Sequence, residues 1–426
     1  MTRPSGTAPE TRHRIRGLLV LWAAFVLVHA VLIGLNLSGI GWPLGDVERV
    51  YLGWAQSTVD GTARLGIDTD FVYPIVALAP ILTALVFGAP AYALSWLGLV
   101  TLLNAVAFRA LLGRTVSRAR AVAAGWWLVF LLLLGPVALA RIDSVTVPLT
   151  VLALLWLRTR PVWGAVLLTL ATWVKVWPVA AVAALVVASK RRWQVVAAFL
   201  GTSTVIIGVA LLFGSGPTIL SFVTEQTDRG LQIEAPVASW WMWQSVFGVP
   251  GTQVYYDQEI LTYQVVGAGT ELVSAVMTPL LVVAVAVILL LGWRAQRAGV
   301  TVDRLLPVLF LALVLTLILV NKVGSPQFIS WLAAPIILGL IGYPESWRRP
   351  AMLALVMAGL TQLIYPYFYN GLLTGSATMV LVLTARNLLE LVLLTWMVLR
   401  LVRLGSGTGE PLARSDSSTH RSILKE

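Results

Sequence analysis

The sequence predicts an all-α, polytopic integral membrane protein, and three observations support this fold class. Of its 426 residues, 58% are hydrophobic and only 12% are charged, whereas about 25% of the residues in a typical soluble domain are charged. Apolar segments follow one another along the chain, and most are joined by short polar connections. The basic residues gather in alternate connections, which is typical of cytoplasmic loops. None of the polar segments is large enough to form a soluble catalytic domain.

The first apolar segment, residues 17–39, predicts a helix that remains in the mature protein. It is long enough to cross a bilayer, which takes about 20 residues. It is too long for a signal peptide and has no small-residue cleavage site. The cationic tail before it, residues 1–16, is expected in the cytoplasm. Asp46, which follows the segment, is therefore expected on the outer face, close to the membrane surface.

Eleven further segments complete the predicted bundle, although several are short for a full crossing. They are residues 91–112, 121–140, 145–157, 163–177, 179–189, 195–213, 272–293, 305–320, 328–341, 351–365 and 378–400. About twelve crossings would place both termini in the cytoplasm. The transmembrane domain then covers residues 17–403, with outer loops at 40–70 and 214–269. The polar tail, residues 404–426, is expected to be cytoplasmic and disordered because it has few apolar residues.

Two further helices are predicted in the outer loops. Residues 71–87 are apolar, but a full crossing there would move the basic residues of 114–120 to the outer face. Pro74 and Pro80 also interrupt this segment, so we predict a re-entrant or interfacial helix. The alternative is an ordinary span followed by an unusual basic outer loop. Residues 47–58 have apolar side chains at helical spacing and predict a helix in the interface plane.

The composition excludes several kinds of site. The chain has no cysteine, so disulfides, thiol nucleophiles and cysteine-ligated metals are ruled out. Its three histidines lie in the tails or the first span, which argues against a histidine metal cluster. The net charge of +11 comes mainly from the short loops and the tails. That distribution favours a membrane protein over a nucleic-acid-binding one, and we expect neither a nucleic-acid partner nor a cofactor.

The informative polar residues are those at the predicted outer ends of different spans. A charge at the centre of a bilayer costs roughly 2.5–3.5 kcal/mol on the most lenient scale, so each is expected to have a cavity or a partner. Several cations that converge with several acids on one face predict a pocket for an anionic lipid substrate. The candidate site residues are Asp46, Glu48, Arg141, Asp143, Lys175, Arg229, Glu234, Asn321, Lys322 and Gln327.

Several of these residues also have a purely structural interpretation. Lys175 lies between two tryptophans, and its side chain could simply extend to the lipid head groups. Arg141 and Asp143 could form a salt bridge with each other at a helix end. Asp68 and Asp70, in the same predicted outer loop as Asp46, could cap the following helix.

Two other groups are expected to be structural. Arg386 and Glu390 are four residues apart in the last span, a spacing that brings helical side chains together, so we expect them to pair. Trp240, Trp241 and Trp243 favour an interfacial aromatic belt, with a platform for a sugar as the alternative.

Six motifs occur in order between about residues 17 and 403. They are GDVERVYLGWA, DTDFVYP, RIDSVTVP, TWVKVWP with KRRW, RGLQIEAP, and NKVGSPQFISWL. Together they resemble glycosyltransferase family 87, a family of actinobacterial membrane enzymes of the GT-C class. That family includes polyprenol-phosphate-mannose-dependent α-mannosyltransferases and related arabinofuranosyltransferases.

The resemblance implies a GT-C fold with its active site on the outer face of the plasma membrane. It implies a polyprenyl-phosphate sugar donor, a lipid-linked or glycan acceptor, and a catalytic carboxylate that corresponds to Asp46. Asp46 would act as general base, while Lys175, Arg229 and Lys322 would stabilise the leaving phosphate. Glu48 departs from a simple pair of aspartates, so a divalent metal is possible but not supported.

Other functions remain open at this point. An arabinofuranosyltransferase of the same fold would share every motif. A flippase or transporter of lipid-linked sugars would place polar residues near the middle of several spans, whereas here they gather at the outer rim. A non-catalytic anchor would not need so many outer charges. Direct attack on the sugar would invert its anomeric centre, whereas Glu48 or Asp143 as nucleophile would retain it.

Overall fold

Long apolar helices make up most of the fold, because a helix satisfies its backbone hydrogen bonds internally. The computed structural model describes residues 8–157, 159–227, 229–258 and 260–407, and it is 76% helical. In chain order the α-helices are α1 (Ala8–Leu37), α2 (Leu52–Val59), α3 (Leu78–Thr83), α4 (Tyr92–Leu112), α5 (Arg118–Leu134), α6 (Asp143–Trp156), α7 (Pro161–Val174), α8 (Val179–Ala188), α9 (Arg192–Leu212), α10 (Ser221–Thr227), α11 (Ser239–Val246), α12 (Thr270–Arg297), α13 (Val302–Leu319), α14 (Ala333–Gly342), α15 (Pro344–Gln362), α16 (Tyr369–Leu373) and α17 (Ala377–Gly405).

Eight of the helices in the described ranges are long and apolar enough to cross a membrane. They are α1, α4, α5, α9, α12, α13, α15 and α17. Each of the other four predicted spans also coincides with an apolar helix, α6, α7, α8 or α14, but these have only 10 to 14 residues. The polytopic membrane fold is confirmed, and the count of twelve crossings stays a prediction.

The short helices lie where protein rather than lipid surrounds them. α6 and α14 are buried along almost their whole length. α13 packs against α14, and 72% of its residues are buried. A helix enclosed by other helices does not need to match the full thickness of the hydrocarbon layer, because its ends are covered by protein. The core of the bundle is therefore built around α6, α13 and α14.

The helices predicted within residues 47–58 and 71–87 are both present. The segment Ile75–Phe87 is a 13-residue helical stretch in which 3₁₀ turns flank α3. It is too short for a perpendicular crossing, which takes about 20 residues. A π-helical turn, Asp46–Tyr51, leads directly into α2, and together they cover the helix predicted at residues 47–58.

A small antiparallel sheet was not expected from the sequence. Its strands are β1 (Leu231–Gln232), β2 (Gln253–Asp257) and β3 (Thr262–Val266), in the order β1-β3-β2. β2 and β3 form a hairpin rich in tyrosine and valine, residues that favour strands. Buried side chains of this sheet pack with those of α11 and α17, so the loop between α9 and α12 is attached to the last helix.

The ends of the chain only partly fall within the described residues. α1 begins at Ala8, within the predicted tail 1–16, and α17 ends at Gly405, two residues beyond the predicted boundary at 403. The disorder predicted for residues 404–426 falls almost entirely outside the described residues, which end at 407.

We name the two ends of the bundle after the length of the loops that they carry. At the long-loop end the chain connects α1 to α4 and α9 to α12; at the short-loop end it connects α4 to α5, α6 to α7, α8 to α9 and α12 to α13. The predicted site residues all belong to the long-loop end or to helix ends that reach it.

Candidate active site

The turn between α5 and α6 holds two of the predicted site residues. α5 ends at Leu134 because Gly135 adopts a φ of 71°, a conformation that residues with a Cβ rarely adopt. One 3₁₀ turn, Gly135–Ala138, follows before α6 starts. Arg141 therefore lies in a tight turn, and Asp143 lies in the first helical turn, where a carboxylate interacts favourably with the helix dipole.

Asp46 and Arg141 form an ion pair, with 3.2 Å between Oδ2 and Nε. The guanidinium also donates to the carbonyl oxygens of Pro43 and Ala140, at 2.7 and 2.8 Å, and to the Tyr365 hydroxyl at 2.6 Å. The Arg141 side chain is only 7% exposed, whereas that of Asp46 is 42% exposed. Arg141 is thus a buried support, and Asp46 is the accessible carboxylate of the pair.

Lys175 and Asp143 form a second ion pair. Lys175 follows the last residue of α7, and its Nζ lies 3.0 Å from Oδ2 of Asp143. The other oxygen of Asp143 accepts a hydrogen bond from the Trp331 indole at 2.6 Å. The ammonium also lies 5.1 Å from the ring centroid of Tyr73 and 5.5 Å from that of Phe328. Both contacts are within the range of a cation–π interaction.

These two ion pairs overturn two structural alternatives. Arg141 and Asp143 do not pair with each other, because Arg141 turns to Asp46 and Asp143 turns to Lys175. The Lys175 side chain does not extend to the head groups, because its ammonium is held against Asp143 and is only 16% exposed. We call Asp46, Arg141, Asp143 and Lys175 the ion-pair cluster.

Two tyrosines connect the halves of the ion-pair cluster. The Tyr51 hydroxyl accepts a hydrogen bond from the Ile142 backbone N–H at 3.1 Å and is also hydrogen-bonded to Tyr73. Burial raises the pKa of both phenols, so they are neutral near pH 7. Lys175 and Asp46 both lie close enough to affect the ionisation of Tyr73. Sequence reasoning missed Tyr73, although this residue lies in the motif DTDFVYP. The sequence signal that could have identified it was a tyrosine located between two charged segments that were both predicted on the outer face.

Glu234 lies in a separate buried network. Its Oε2 is 3.2 Å from Nη1 of Arg386, whose other terminal nitrogen donates to the Glu234 carbonyl at 2.9 Å. Tyr369 is also hydrogen-bonded to Glu234, and burial raises the pKa of this carboxyl. The predicted pairing of Arg386 with Glu390 is confirmed at 3.5 Å. Because Arg386 already occupies the Glu234 carboxylate, substrate binding by Glu234 stays a prediction.

Glu48 points away from the ion-pair cluster. It is exposed and accepts a hydrogen bond from the Trp42 indole at 2.8 Å. The guanidinium of Arg49 lies 3.9 Å from the Trp42 ring centroid, on the same exposed surface. Within the described part of the chain, no three histidine or acidic side chains form a group that could hold a metal ion.

The segment after α13 contributes three predicted residues with different environments. Asn321 accepts a hydrogen bond from the Val323 N–H at 2.9 Å, which shapes the turn itself. Lys322 is buried, and its carbonyl accepts the Gln232 N–H at 3.0 Å, so it joins the segment to β1. The buried amide oxygen of Gln327 has no hydrogen-bond partner among the described residues. Substrate binding by Gln327 stays a prediction.

Arg229 is half-buried near Tyr73. Its Nε donates to the Glu225 carbonyl at 3.3 Å. Burial lowers the pKa of Arg229, and the nearby Tyr73 and Glu225 partly oppose that effect. Arg229 thus comes close to Tyr73 although it lies in the other long loop.

Two further expectations are wrong in detail. Asp68 does not cap the following helix: it accepts the Arg64 N–H at 2.9 Å and pairs with the Arg64 guanidinium at 2.7 Å, and the 3₁₀ turn at Ile75–Ala77 has no side-chain cap. The three tryptophans do not form one belt. Trp240 is exposed, but Trp241 is buried and donates to the Ala268 carbonyl, and Trp243 donates to Thr384.

A comparison with family models supplies the class of protein. The model of glycosyltransferase family 87 matches residues 71–320, more than half of the chain. The chain belongs to glycosyltransferase family 87. Membership indicates a membrane glycosyltransferase with sugar donor and acceptor substrates. No curated protein and no solved structure matches the chain.

The family 87 match covers most of the residues described above but not all of them. Tyr73, Arg141, Asp143 and Lys175 lie inside it, and Asp46 lies before its first residue. The contact with Arg141 is what joins Asp46 to the matched part of this family 87 protein.

Proposed function

We propose that this family 87 protein transfers mannose from a polyprenyl-phosphate donor to a lipid-linked or glycan acceptor. The reaction takes place on the extracytoplasmic face of the plasma membrane, in a GT-C fold of about twelve crossings. The observation that carries the proposal is the ion pair between Asp46 and Arg141, which holds an accessible carboxylate at the edge of a buried cluster of charges.

Asp46 is the general base. Arg141 engages one carboxylate oxygen, and the exposure of the side chain leaves the group accessible to an acceptor hydroxyl. Arg141 itself is held by two carbonyl oxygens and a phenol, so the orientation of Asp46 is fixed before substrate binds. A positioned base of this kind contributes typically 10²–10⁴-fold to a rate.

The charge balance of the ion-pair cluster indicates which cations serve the donor phosphate. Arg141 and Lys175 each already face a carboxylate, so the pairs are neutral by themselves. Additional positive charge for a phosphate comes from Arg229, which lies near Tyr73 and donates its Nε–H to the backbone carbonyl of Glu225. Lys175 contributes by sharing its ammonium between Asp143 and the phosphate, in a preorganised electrostatic site. Lys322 is the third candidate.

The geometry favours inversion at the anomeric carbon. A retaining enzyme needs a second free carboxylate, about 5–5.5 Å from the first in glycosidases. Asp143 is buried and held by Lys175 and Trp331, and Glu48 is exposed but bonded to Trp42, outside the ion-pair cluster. Direct attack by the acceptor hydroxyl, with its proton passing to Asp46 and the lipid phosphate leaving with the bonding electrons, needs only Asp46.

The test is a reconstituted reaction. Purified protein in lipid nanodiscs is incubated with polyprenyl-phosphate mannose and a membrane acceptor lipid, and the products are identified by mass spectrometry. We expect an acceptor increased by one hexose and free polyprenyl phosphate in equal amounts. If the protein instead transferred a pentose from a pentose-carrying donor, the sugar in the proposal would be arabinofuranose rather than mannose. Movement of intact donor across a liposome bilayer without hydrolysis or transfer would replace the enzyme by a flippase.

A further inference from the structure

A cavity at the short-loop end is not used by the proposed reaction. It has a volume of about 200 Å³ and lies between the ends of α8 and α12 and the starts of α7, α9 and α13. The ion-pair cluster lies at the other end of the bundle, so a ligand here would not touch the reacting groups. Ligand binding at this cavity is therefore independent of the proposed reaction.

The polar lining of the cavity favours an anion. Its polar side chains are two cations, two amides and two hydroxyls: Lys190, Arg191, Gln194, Gln296, Ser189 and Thr301. The carboxylate closest in sequence to the lining, Asp303, lies in the first turn of α13 and is not part of it. The described lining therefore carries positive charge and several hydrogen-bond donors.

Two helix starts add to this positive field. α9 and α13 begin immediately after Arg191 and Thr301, and neither start has a side-chain cap. The first backbone N–H groups of an α-helix have no partner within the helix, and the helix dipole places partial positive charge at the same point. The cavity is thus lined by two uncapped helix starts in addition to its cationic side chains, and Asp303 offsets part of the dipole at the start of α13.

The rest of the lining is apolar. Leu157, Pro161, Leu185 and Val195 line the wall from four different helix ends. Beside the cavity, Trp193 is 77% exposed. An exposed tryptophan at this level of a membrane protein is typical of the boundary between acyl chains and head groups. A free inorganic anion would make no favourable contact with the apolar wall, whereas a lipid would cover this wall with its glycerol and upper acyl carbons.

We propose that this cavity binds the phosphate head group of an acidic phospholipid. Basic pockets between transmembrane helices are known to take such head groups. The general excess of cations in cytoplasmic loops accounts for Lys190 and Arg191 being present, but not for their position on a cavity between two uncapped helix starts. Another adjacent pair, Arg348 and Arg349, is exposed in α15 and does not line the cavity.

That second pair provides a matched control. The full chain is purified in a neutral detergent and titrated with phosphatidylglycerol, phosphatidylcholine or inorganic phosphate, and bound lipid is counted by native mass spectrometry. We expect one phosphatidylglycerol to be retained in preference to phosphatidylcholine. The double variant Lys190→Gln/Arg191→Gln should bind it roughly tenfold more weakly or worse, and Arg348→Gln/Arg349→Gln should bind it as the wild type does.

A second variant separates the cavity from the charge. Gln194→Trp keeps both cations and puts a larger side chain into the lining of the cavity, so it should also lose the retained lipid. This variant keeps the test informative if the double variant does not fold. Equal weakening in both charge variants would show general surface attraction and overturn the site. Unchanged binding in Gln194→Trp would overturn it too. Displacement of the lipid by inorganic phosphate at millimolar concentration would assign the cavity to a free anion instead.

Discussion

At the residue scale, the sequence could identify Asp46 but not what holds it. A carboxylate after the first span is visible in the sequence, and so are the two charges in the turn RIDS. Their pairing is not, because the partners come from segments separated by 95 positions and every outer charge is an equally plausible partner for every other. The structure resolves this by burial: Arg141 is enclosed by carbonyl oxygens and can reach Asp46.

Replacement of Asp46 by Asn tests the general base. The variant keeps the shape of the side chain and its contact with Arg141 as an acceptor, but it cannot take a proton. We expect transfer to fall by about 10²–10⁴-fold with little change in thermal stability. Glu48→Gln is the control, since Glu48 is exposed and bonded to Trp42, and it should keep nearly normal turnover. More than about a tenth of wild-type turnover in Asp46→Asn would contradict the role.

The Lys175 variants need a correction for stability. Lys175→Met leaves the buried carboxylate of Asp143 with the Trp331 indole but without its cation. Breaking a buried ion pair in this way typically costs about 3–5 kcal/mol, so loss of activity alone would be ambiguous. The double variant Lys175→Met/Asp143→Asn removes both charges and should recover most of that stability.

Donor kinetics of the double variant then report on the phosphate. We expect kcat/KM for the lipid donor to stay well below wild type while thermal stability returns, and Lys175→Arg to recover part of the activity because it restores the charge. Wild-type donor kinetics in the stable double variant would remove Lys175 from the site.

At the scale of secondary-structure elements, hydrophobicity predicted the helices well and the strands poorly. Each of the twelve predicted spans coincides with a helix, because long apolar runs have few alternatives in a bilayer. The hairpin of β2 and β3 was missed because each strand has only five residues and lies in a polar loop, where periodicity is weak. Boundaries such as the end of α5 depend on a single glycine in a left-handed conformation.

The helical stretch Ile75–Phe87 gives the element-scale prediction. The basic residues in the connection between α4 and α5 predict that this stretch does not cross, so that connection should lie in the cytoplasm. The chain has no native cysteine, so Thr115→Cys introduces a unique label in that connection. We expect no reaction with a membrane-impermeant maleimide in intact cells. Thr62→Cys, exposed in the first long loop, should react and serves as the control. Labelling at position 115 from outside would mean that this stretch crosses.

At the scale of the whole molecule, a small number of buried polar contacts attaches the long loops to the bundle. Arg386 in α17 binds the Glu234 side chain and carbonyl, next to β1, and it also pairs with Glu390. The apolar side chains of the sheet pack against the same helix. The loop between α9 and α12 is thus fixed to the last helix at one charged point and one apolar patch.

Arg386→Met should destabilise the protein through this contact. It leaves two buried carboxylates without a cation, at a cost of about 3–5 kcal/mol, and the thermal midpoint should fall accordingly. Arg403→Met changes an exposed arginine of the same helix and should stay within about 0.5 kcal/mol of wild type. Adding Glu234→Gln and Glu390→Gln to Arg386→Met should restore part of the loss. An unchanged midpoint in Arg386→Met would show that the network contributes nothing.

The contacts of Arg141 also set an order of assembly during synthesis. The ribosome makes Asp46 first, Arg141 later, and Tyr365 another 224 residues after that. The guanidinium can therefore donate to Tyr365, its last partner, only after the segment that follows α15 has left the translocon. A nascent chain that stops before this point has the carboxylate and the arginine but lacks the phenol that completes the support. The enzyme should consequently complete the contacts of Arg141 only when nearly the whole chain has been inserted, which would keep unfinished molecules from acting on the sugar donor.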